Sequence, residues 1–70
     1  MVWCEVWDDS GGINAQFEIV PHVGEEIMIF ADGKTSVTPG VKRVTHISLA
    51  VHGDNSRPRI QLLVENAHRP

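Results

Sequence analysis

The side chains that could act as nucleophiles or bind a soft metal are one cysteine and four histidines. Cys4 alternates with Val2 and Val6, so we expect it on the inner face of a strand, where a thiol behaves as a small apolar group. His46 and His52 occupy one predicted strand, which places them about 20 Å apart and prevents them from sharing a metal ion. The other two histidines fall in a predicted turn and a predicted tail. We therefore predict no catalytic residue, no metal site and no cofactor.

Two polar segments resemble ligand-binding loops but lack the residues that such loops need. Residues 8–12, Asp-Asp-Ser-Gly-Gly, have neither the spaced ligands nor the terminal glutamate of a calcium loop. Residues 32–34, Asp-Gly-Lys, lack the glycine-rich run and the following helix of a phosphate loop. Both segments are predicted to be turns.

Two tryptophans are the most informative residues, because they share one predicted face of the first strand. If Cys4 faces the core, Trp3 and Trp7 face outwards, where indoles are costly to leave in water. The alternative inverts this strand and buries both indoles. In the first case the outward face is a contact surface of the kind in which aromatic residues concentrate binding energy. This predicted aromatic patch consists of Trp3, Glu5, Trp7, Met28 and Phe30.

A second candidate surface is a local edge of basic side chains in the second half of the chain. Lys42, Arg43, Arg57 and Arg59 could contact an anion or the phosphates of a nucleic acid. The pI of about 5.7 and the lack of tyrosine argue against this role, since nucleic-acid-binding barrels are expected to present a basic face with stacking aromatics. Nucleic-acid binding is therefore the alternative hypothesis.

The charged residues divide unevenly along the chain. Residues 1–33 contain seven acidic side chains and no lysine or arginine, whereas residues 34–70 contain all six basic side chains and two acidic ones. Either the two halves pair their charges across strands, or they attract copies of the protein or an anionic partner. In addition, a 70-residue chain with a single cysteine has a thin core and no internal disulfide to support it. A second copy would relieve that thin core.

No stretch of the sequence predicts export or membrane insertion. The first residues lack a basic region followed by an apolar one, and no apolar run approaches the roughly 20 residues of a membrane span. We expect a soluble, cytoplasmic protein with one domain over residues 1–66 and a tail over residues 67–70.

Alternating apolar and polar residues predict short strands separated by turns. Residues 2–7 and 13–19 are expected to form an N-terminal hairpin, and residues 27–30 a third strand that is apolar on both faces. The longest strand, residues 41–51, is expected to pair with residues 59–65 across a turn.

The longest predicted strand cannot be regular throughout. Val41 and Val44 are three residues apart, so either a β-bulge lies between them or one of them points outwards. Val44 and Ile47 are also three residues apart, so a second break in the alternation of side chains is needed if they share a face. The side chains that this hairpin is expected to bury are Ile47, Leu49, Val51, Ile60, Leu62 and Val64.

Five or six short antiparallel strands predict an all-β domain. At this length a small, partly open SH3-like barrel buries the most apolar surface per residue. The chain resembles short SH3-like β-barrel proteins of bacterial genomes, phages and mobile gene cassettes. The resemblance consists of Pro21-x-Val23-Gly24-Glu25-x-Ile27, a third strand, an Asp-Gly-Lys segment and then Val41-x-x-Val44-x-His46. The resemblance covers about 30 of the 70 residues and implies the fold without implying a particular role.

These features lead to one functional hypothesis and two alternatives. We expect a non-enzymatic small barrel that forms a dimer or higher homo-oligomer and binds a protein or small-molecule partner through the aromatic patch. Trp3 and Trp7 are expected to take part in the contact between copies. The alternatives are a nucleic-acid-binding module that uses the basic edge, and an enzyme whose site forms at a subunit interface, because one small barrel offers little concave space.

Overall fold

The structure is a computed structural model that describes residues 1–30, 37–51 and 57–67. Within these residues the chain forms one curled five-stranded sheet, an all-β half-barrel, as the sequence predicts. The strands are β1 (Val2–Asp8), β2 (Gly11–Phe17), β3 (Glu26–Ile29), β4 (Gly40–Ala50) and β5 (Arg59–Asn66). Their order across the sheet is β2-β1-β5-β4-β3.

The sheet is mixed, which corrects the prediction that all strands are antiparallel. β1 pairs with β2, β4 with β3 and β4 with β5 in antiparallel fashion, but β1 and β5 run parallel, with Cys4 opposite Ile60 and Val6 opposite Leu62. Parallel neighbours need a long connection, which here is the whole chain between the first and last strands. β5 therefore occupies the centre of the sheet, between the N-terminal hairpin and β4.

The core lies on the inner face of the curled sheet. Strand alternation places Cys4 and Val6 on this face, beside Leu62 and Val64 of the central strand, as predicted. The buried apolar side chains are Cys4, Val6, Ile29, Val37, Val44, Leu62 and Val64.

The predicted burial of Ile47, Leu49 and Val51 is wrong, although the hairpin that contains them is present. Ile47 lies opposite Leu62 and Leu49 opposite Ile60, so both point to the same face as the core. All three are nevertheless exposed, Leu49 to 62%. The reason is that β3 pairs only with the first part of β4, between Gly40 and Arg43, and no other strand of the described ranges lies beside the rest of β4 on that side.

The irregularity expected in the longest strand is a β-bulge between Val44 and His46. Val41 lies opposite Met28 and away from the core, whereas Val44 is buried. At this point the turn before β3 contacts β4. The N–H of Gly24 donates to the carbonyl of Val44 (2.8 Å), and the N–H of Val44 donates to the carbonyl of Glu25 (2.9 Å).

Several sequence predictions concern residues at the limits of the described ranges. The turns predicted at residues 32–34 and 53–56, and the tail after residue 67, lie outside the described residues. Ala67 still belongs to the sheet, because its N–H donates to the carbonyl of Val41 at 3.0 Å. None of the described segments is a helix able to cross a membrane.

Candidate functional site on the outer face of the first strand

The outer face of β1 carries both tryptophans, as one of the two sequence alternatives predicts. Because Cys4 and Val6 are buried, the alternating residues Trp3, Glu5 and Trp7 point away from the core. The indoles of Trp3 and Trp7 are 62% and 41% exposed. The inverted strand, in which both indoles are core residues, is thereby excluded.

Glu5 is held in place by three donors. Its carboxylate accepts hydrogen bonds from Trp7 Nε1 (3.2 Å), Arg59 Nη1 (2.9 Å) and Gln61 Nε2 (2.9 Å). The bonds from Gln61, Arg59 and Trp7 outweigh desolvation and lower the pKa of Glu5. Glu5 is therefore a fixed negative charge, and it also fixes the orientation of one indole.

The ring of Trp7 lies flat against β2, where Gly12 is its opposite residue. A side-chain carbon built on Gly12 would come within 2.6 Å of the indole ring. The missing side chain of Gly12 therefore makes room for Trp7 to lie on the sheet instead of projecting into solvent.

We expect Gly12→Ala to displace the Trp7 indole, because the added methyl occupies the space of the ring. The emission of Trp7 should shift to longer wavelength, and the free energy of unfolding should fall by about 1 to 3 kcal/mol, as in other overpacked sites. Fluorescence of a Trp3→Phe background, with and without Gly12→Ala, measures the shift. An unchanged emission spectrum would show that the ring does not rest on Gly12. Ala15→Ser, on the inner face of the same strand, is a control that leaves the outer face unchanged.

A cleft with a volume of about 530 Å³ opens beside Trp3. It lies on the outer side of the sheet where β5 begins next to β1. Its lining residues are Trp3, Cys4, Glu5, Asn14, Arg57, Pro58 and Arg59. Sequence reasoning missed this cleft, because Arg57 and Arg59 meet Trp3 only through the parallel pairing of the first and last strands.

The two arginines of the cleft differ in their charge environment. Arg59 is neutralised by Glu5 at 2.9 Å. Arg57 is exposed and forms no ion pair with any residue in the described ranges. An exposed indole beside an exposed guanidinium can stack a flat group and bind an anion attached to it.

Met28 and Phe30 are exposed, but the structure does not join them to the tryptophans. They belong to β3 and the residue after it, and two strands, β5 and β4, separate β3 from β1. The outer-face residue that lies beside Trp7 is instead Leu63, which is 44% exposed. Its position between the buried Leu62 and Val64 is a sequence signal that could have identified it.

Lys42 is not a surface contact, which corrects its assignment to a basic edge. It lies two residues before Val44, on the same inner face, and is only 2% exposed. Its Nζ lies 3.4 Å from Asp8 Oδ2 and donates a second hydrogen bond to Asn66 Oδ1. A side chain in this position cannot reach an external phosphate.

The remaining basic side chains do not form one edge. Arg43 lies 3.9 Å from Glu26 near the start of β4. Arg59 lies opposite Ala50, at the other end of the same hairpin. Arg43 and Arg59 are therefore roughly 20 Å apart along the strands. The predicted basic edge is thus divided, and its Arg57 and Arg59 half belongs to the Trp3 cleft.

Asp8 anchors the turn between β1 and β2. Its carboxylate accepts hydrogen bonds from the N–H groups of Ser10 (2.7 Å), Gly11 (3.2 Å) and Thr38 (3.1 Å), besides the contact with Lys42. Desolvation opposes ionisation of Asp8, but the bonds from Ser10, Thr38 and Lys42 outweigh it and lower its pKa. The turn itself is Asp9 and Ser10, shorter than the predicted residues 8–12, because Asp8 ends β1 and Gly11 already begins β2. The contact of Asp8 with Thr38 links this turn to the chain before β4.

Two of the reactive candidates of the sequence, Cys4 and His46, lie on different strands, and His52 and His68 lie outside the described residues. Cys4 is a buried free thiol, and burial raises its pKa, so it stays protonated at neutral pH. His46 is exposed on β4, where its Nδ1 lies 3.2 Å from Thr45 Oγ1. No group of three or more potential metal ligands occurs in the described part of the chain.

Comparisons with known proteins gave no match: no family model, no curated protein and no solved structure is significantly similar to this chain. The chemistry of the outer face is therefore the feature of this protein that indicates a function.

Proposed function

We propose that this protein is a non-enzymatic binding module whose site is the Trp3 cleft. The observation that supports the proposal is the exposed indole of Trp3 beside Arg57, in a cleft of about 530 Å³. This volume falls within the usual range of roughly 300 to 1,000 Å³ for small-molecule sites. The partner is a small molecule, or a protein side chain, that carries a flat apolar group next to a carboxylate or phosphate.

The fixed charges of the site favour binding over proton transfer. Glu5 is held ionised by three donors, so it serves as a positioning group for Arg59 and Trp7. Because those donors are already in place, Glu5, Trp7 and Arg59 are oriented before a partner arrives. Preorganised aromatic surfaces lose little conformational entropy on binding.

A direct test uses Trp3 as the only fluorescent indole. In a Trp7→Phe variant, a titration with naphthoate, an aromatic carboxylate, should quench Trp3 emission and reach saturation. Arg57→Gln should weaken binding by about tenfold or more, since a charge-assisted hydrogen bond is lost. Arg43→Gln, on the other end of the sheet, is the matched control and should leave the affinity unchanged.

Two outcomes would contradict the proposal. One is a linear, unsaturated quenching of Trp3, as collision with free ligand gives. The other is an equal loss of affinity in Arg57→Gln and Arg43→Gln, which would reflect overall charge instead of the cleft.

The same cleft supports a second candidate, single-stranded nucleic acid. Trp3 and Arg57 could stack a base and bind its phosphate, as in other single-strand-binding sites. Oligothymidylate should then bind with an affinity that falls steeply between low and moderate salt, because counterions are released. The lack of any shift at micromolar protein and low salt would remove this candidate. Naphthoate binding alone would favour the first.

We also propose that the fold is related to SH3-like barrels and that the protein works in the cytoplasm. The segment that carries the resemblance includes Gly24 and Glu25, which form the turn that bonds to Val44 at the bulge. Gly24 has a φ of +94°, a conformation that favours glycine. The single buried thiol of Cys4 is compatible with a reducing compartment.

A further inference from the structure

The second half of β4 is an unpaired edge in the described structure. On the side away from β5, β3 covers β4 from Gly40 to Arg43, and the turn at Gly24 bonds to Val44. From Thr45 to Ala50 no strand of the described ranges lies on that side. The connection between β3 and β4 leaves from the other end of β4, where Ile29 lies opposite Gly40.

This edge lacks the features that usually prevent strands from pairing with other chains. Residues 45–51, Thr-His-Ile-Ser-Leu-Ala-Val, contain no lysine, arginine, acid, glycine or proline. Natural edge strands are generally protected by charges, prolines or bulges. The single bulge of β4 lies at the start of this segment, between Val44 and His46, and the strand is regular from His46 to Ala50. Its inner-face side chains Ile47, Leu49 and Val51 are exposed.

The two outermost strands of the sheet, β2 and β3, do not leave inner-face apolar side chains exposed in this way. β2 is also uncharged, but its inner-face side chains Ile13, Ala15 and Phe17 pack against the core. β3 begins with Glu26, which lies beside Arg43. Among the described residues, the inner-face apolar side chains that stay exposed are therefore those of the second half of β4 and the residue after it, Ile47, Leu49 and Val51.

We infer that this edge pairs with the same edge of a second copy. A two-fold axis at Ser48 places the two segments antiparallel, with Ile47 opposite the partner's Leu49 and His46 opposite the partner's Ala50. Apolar residues then meet on the inner face and neutral residues on the outer face. The segment is thus complementary to itself in one register, as a two-fold interface requires.

The charge of the protein favours a second copy at this edge. Each chain has a formal net charge of -3, so two copies repel one another at most surfaces. An uncharged segment is where that repulsion is smallest, and its backbone groups supply hydrogen bonds that do not depend on charge. β5 lies between this edge and the Trp3 cleft, so each copy keeps its cleft open. The inference thus assigns the contact between copies to β4 and not to Trp3 and Trp7.

Solution mass tests the inference. Wild-type protein at high micromolar concentration should have twice the 7.8 kDa mass of one chain. Leu49→Lys should give a folded monomer, because a charge at this edge opposes pairing and the side chain is already 62% exposed. Met28→Lys, a similarly exposed site on β3, is the matched control and should remain a dimer. Trp3→Ala should also remain a dimer.

Cross-linking gives an independent measurement that does not require a variant with a weakened contact between copies. Ser48 lies on the proposed axis, so Ser48→Cys should form an intermolecular disulfide on mild oxidation, since residues facing each other across an antiparallel pair have close Cβ atoms. Gln16→Cys, exposed on β2, should cross-link little by comparison.

Four results would overturn the inference. They are a wild-type monomer at high micromolar concentration, a dimeric Leu49→Lys variant, a monomeric Trp3→Ala variant, and equal cross-linking of Ser48→Cys and Gln16→Cys. A mass that grows beyond the dimer with concentration would indicate pairing of β4 with β2 of the next copy and would exclude the two-fold arrangement. Failure of naphthoate to bind would refute the proposed function but leave this interface untouched.

Discussion

Leu62→Ala should lower the free energy of unfolding by about 2 to 5 kcal/mol, the usual cost of removing a buried leucine. Leu62 is completely buried on β5, the central strand, and it lies beside Val6 and opposite Ile47. The free energy of unfolding of a small domain is only several kcal/mol, so this variant should be largely unfolded at physiological temperature.

Leu63→Ala is the matched control, because it removes the same atoms from the neighbouring residue on the outer face. Leu63 is 44% exposed, and its replacement should cost about 1 kcal/mol or less. Urea unfolding of both variants measures the difference. Similar losses in the two would mean that the inner and outer faces of β5 are assigned the wrong way round.

The second large effect concerns the buried pair of Asp8 and Lys42. Asp8→Asn removes the negative charge that lies against the buried Lys42 ammonium and should cost about 3 to 5 kcal/mol. Lys42→Met removes the charge and keeps much of the side-chain volume. The double variant should therefore be more stable than the sum of the two single losses implies, which a double-mutant cycle measures. Additive losses would show that the two charges do not interact.

The pH dependence of stability follows from the same pair. The pKa of Asp8 is lowered in the folded state, so its ionised form stabilises the fold above the ordinary carboxyl pKa of about 4. This contribution is lost as the pH falls from there through the lower folded pKa. Glu5 contributes in the same direction. Asp8→Asn should make the free energy of unfolding less dependent on pH below about 4, and an unchanged slope would contradict the assignment.

The strands and the faces of β1 could be predicted because they depend on local alternation. Cys4 and Val6 alternate with Trp3 and Trp7, and this pattern places the two pairs on opposite faces, while the structure shows which face is buried. The same local reasoning fails for Leu49, because its exposure depends on how far β3 extends along β4. No pattern within residues 41–51 contains that information.

The site was predictable only in part, for a related reason. The shared face of the two tryptophans follows from the sequence of β1, but the cleft needs the neighbour that β1 acquires in the sheet. Arg59 is 54 residues from Glu5 in the chain and 2.9 Å from it in space. The position of Lys42 was missed since a lysine in a predicted strand is normally a surface residue. Its burial depends on Asp8 and Asn66, which come from two other strands.

The central place of β5 has a consequence for how the protein is made. The ribosome completes this strand after the other four, yet β5 is the one that joins the β1–β2 hairpin to β4. Until it emerges, the nascent chain can form local hairpins but no shared core. The contact of Glu5 with Gln61 spans 56 residues, and such non-local closures are slow steps in folding. During synthesis the apolar inner faces of the earlier strands therefore stay open to chaperones, and premature termination before residue 59 leaves a product that cannot fold.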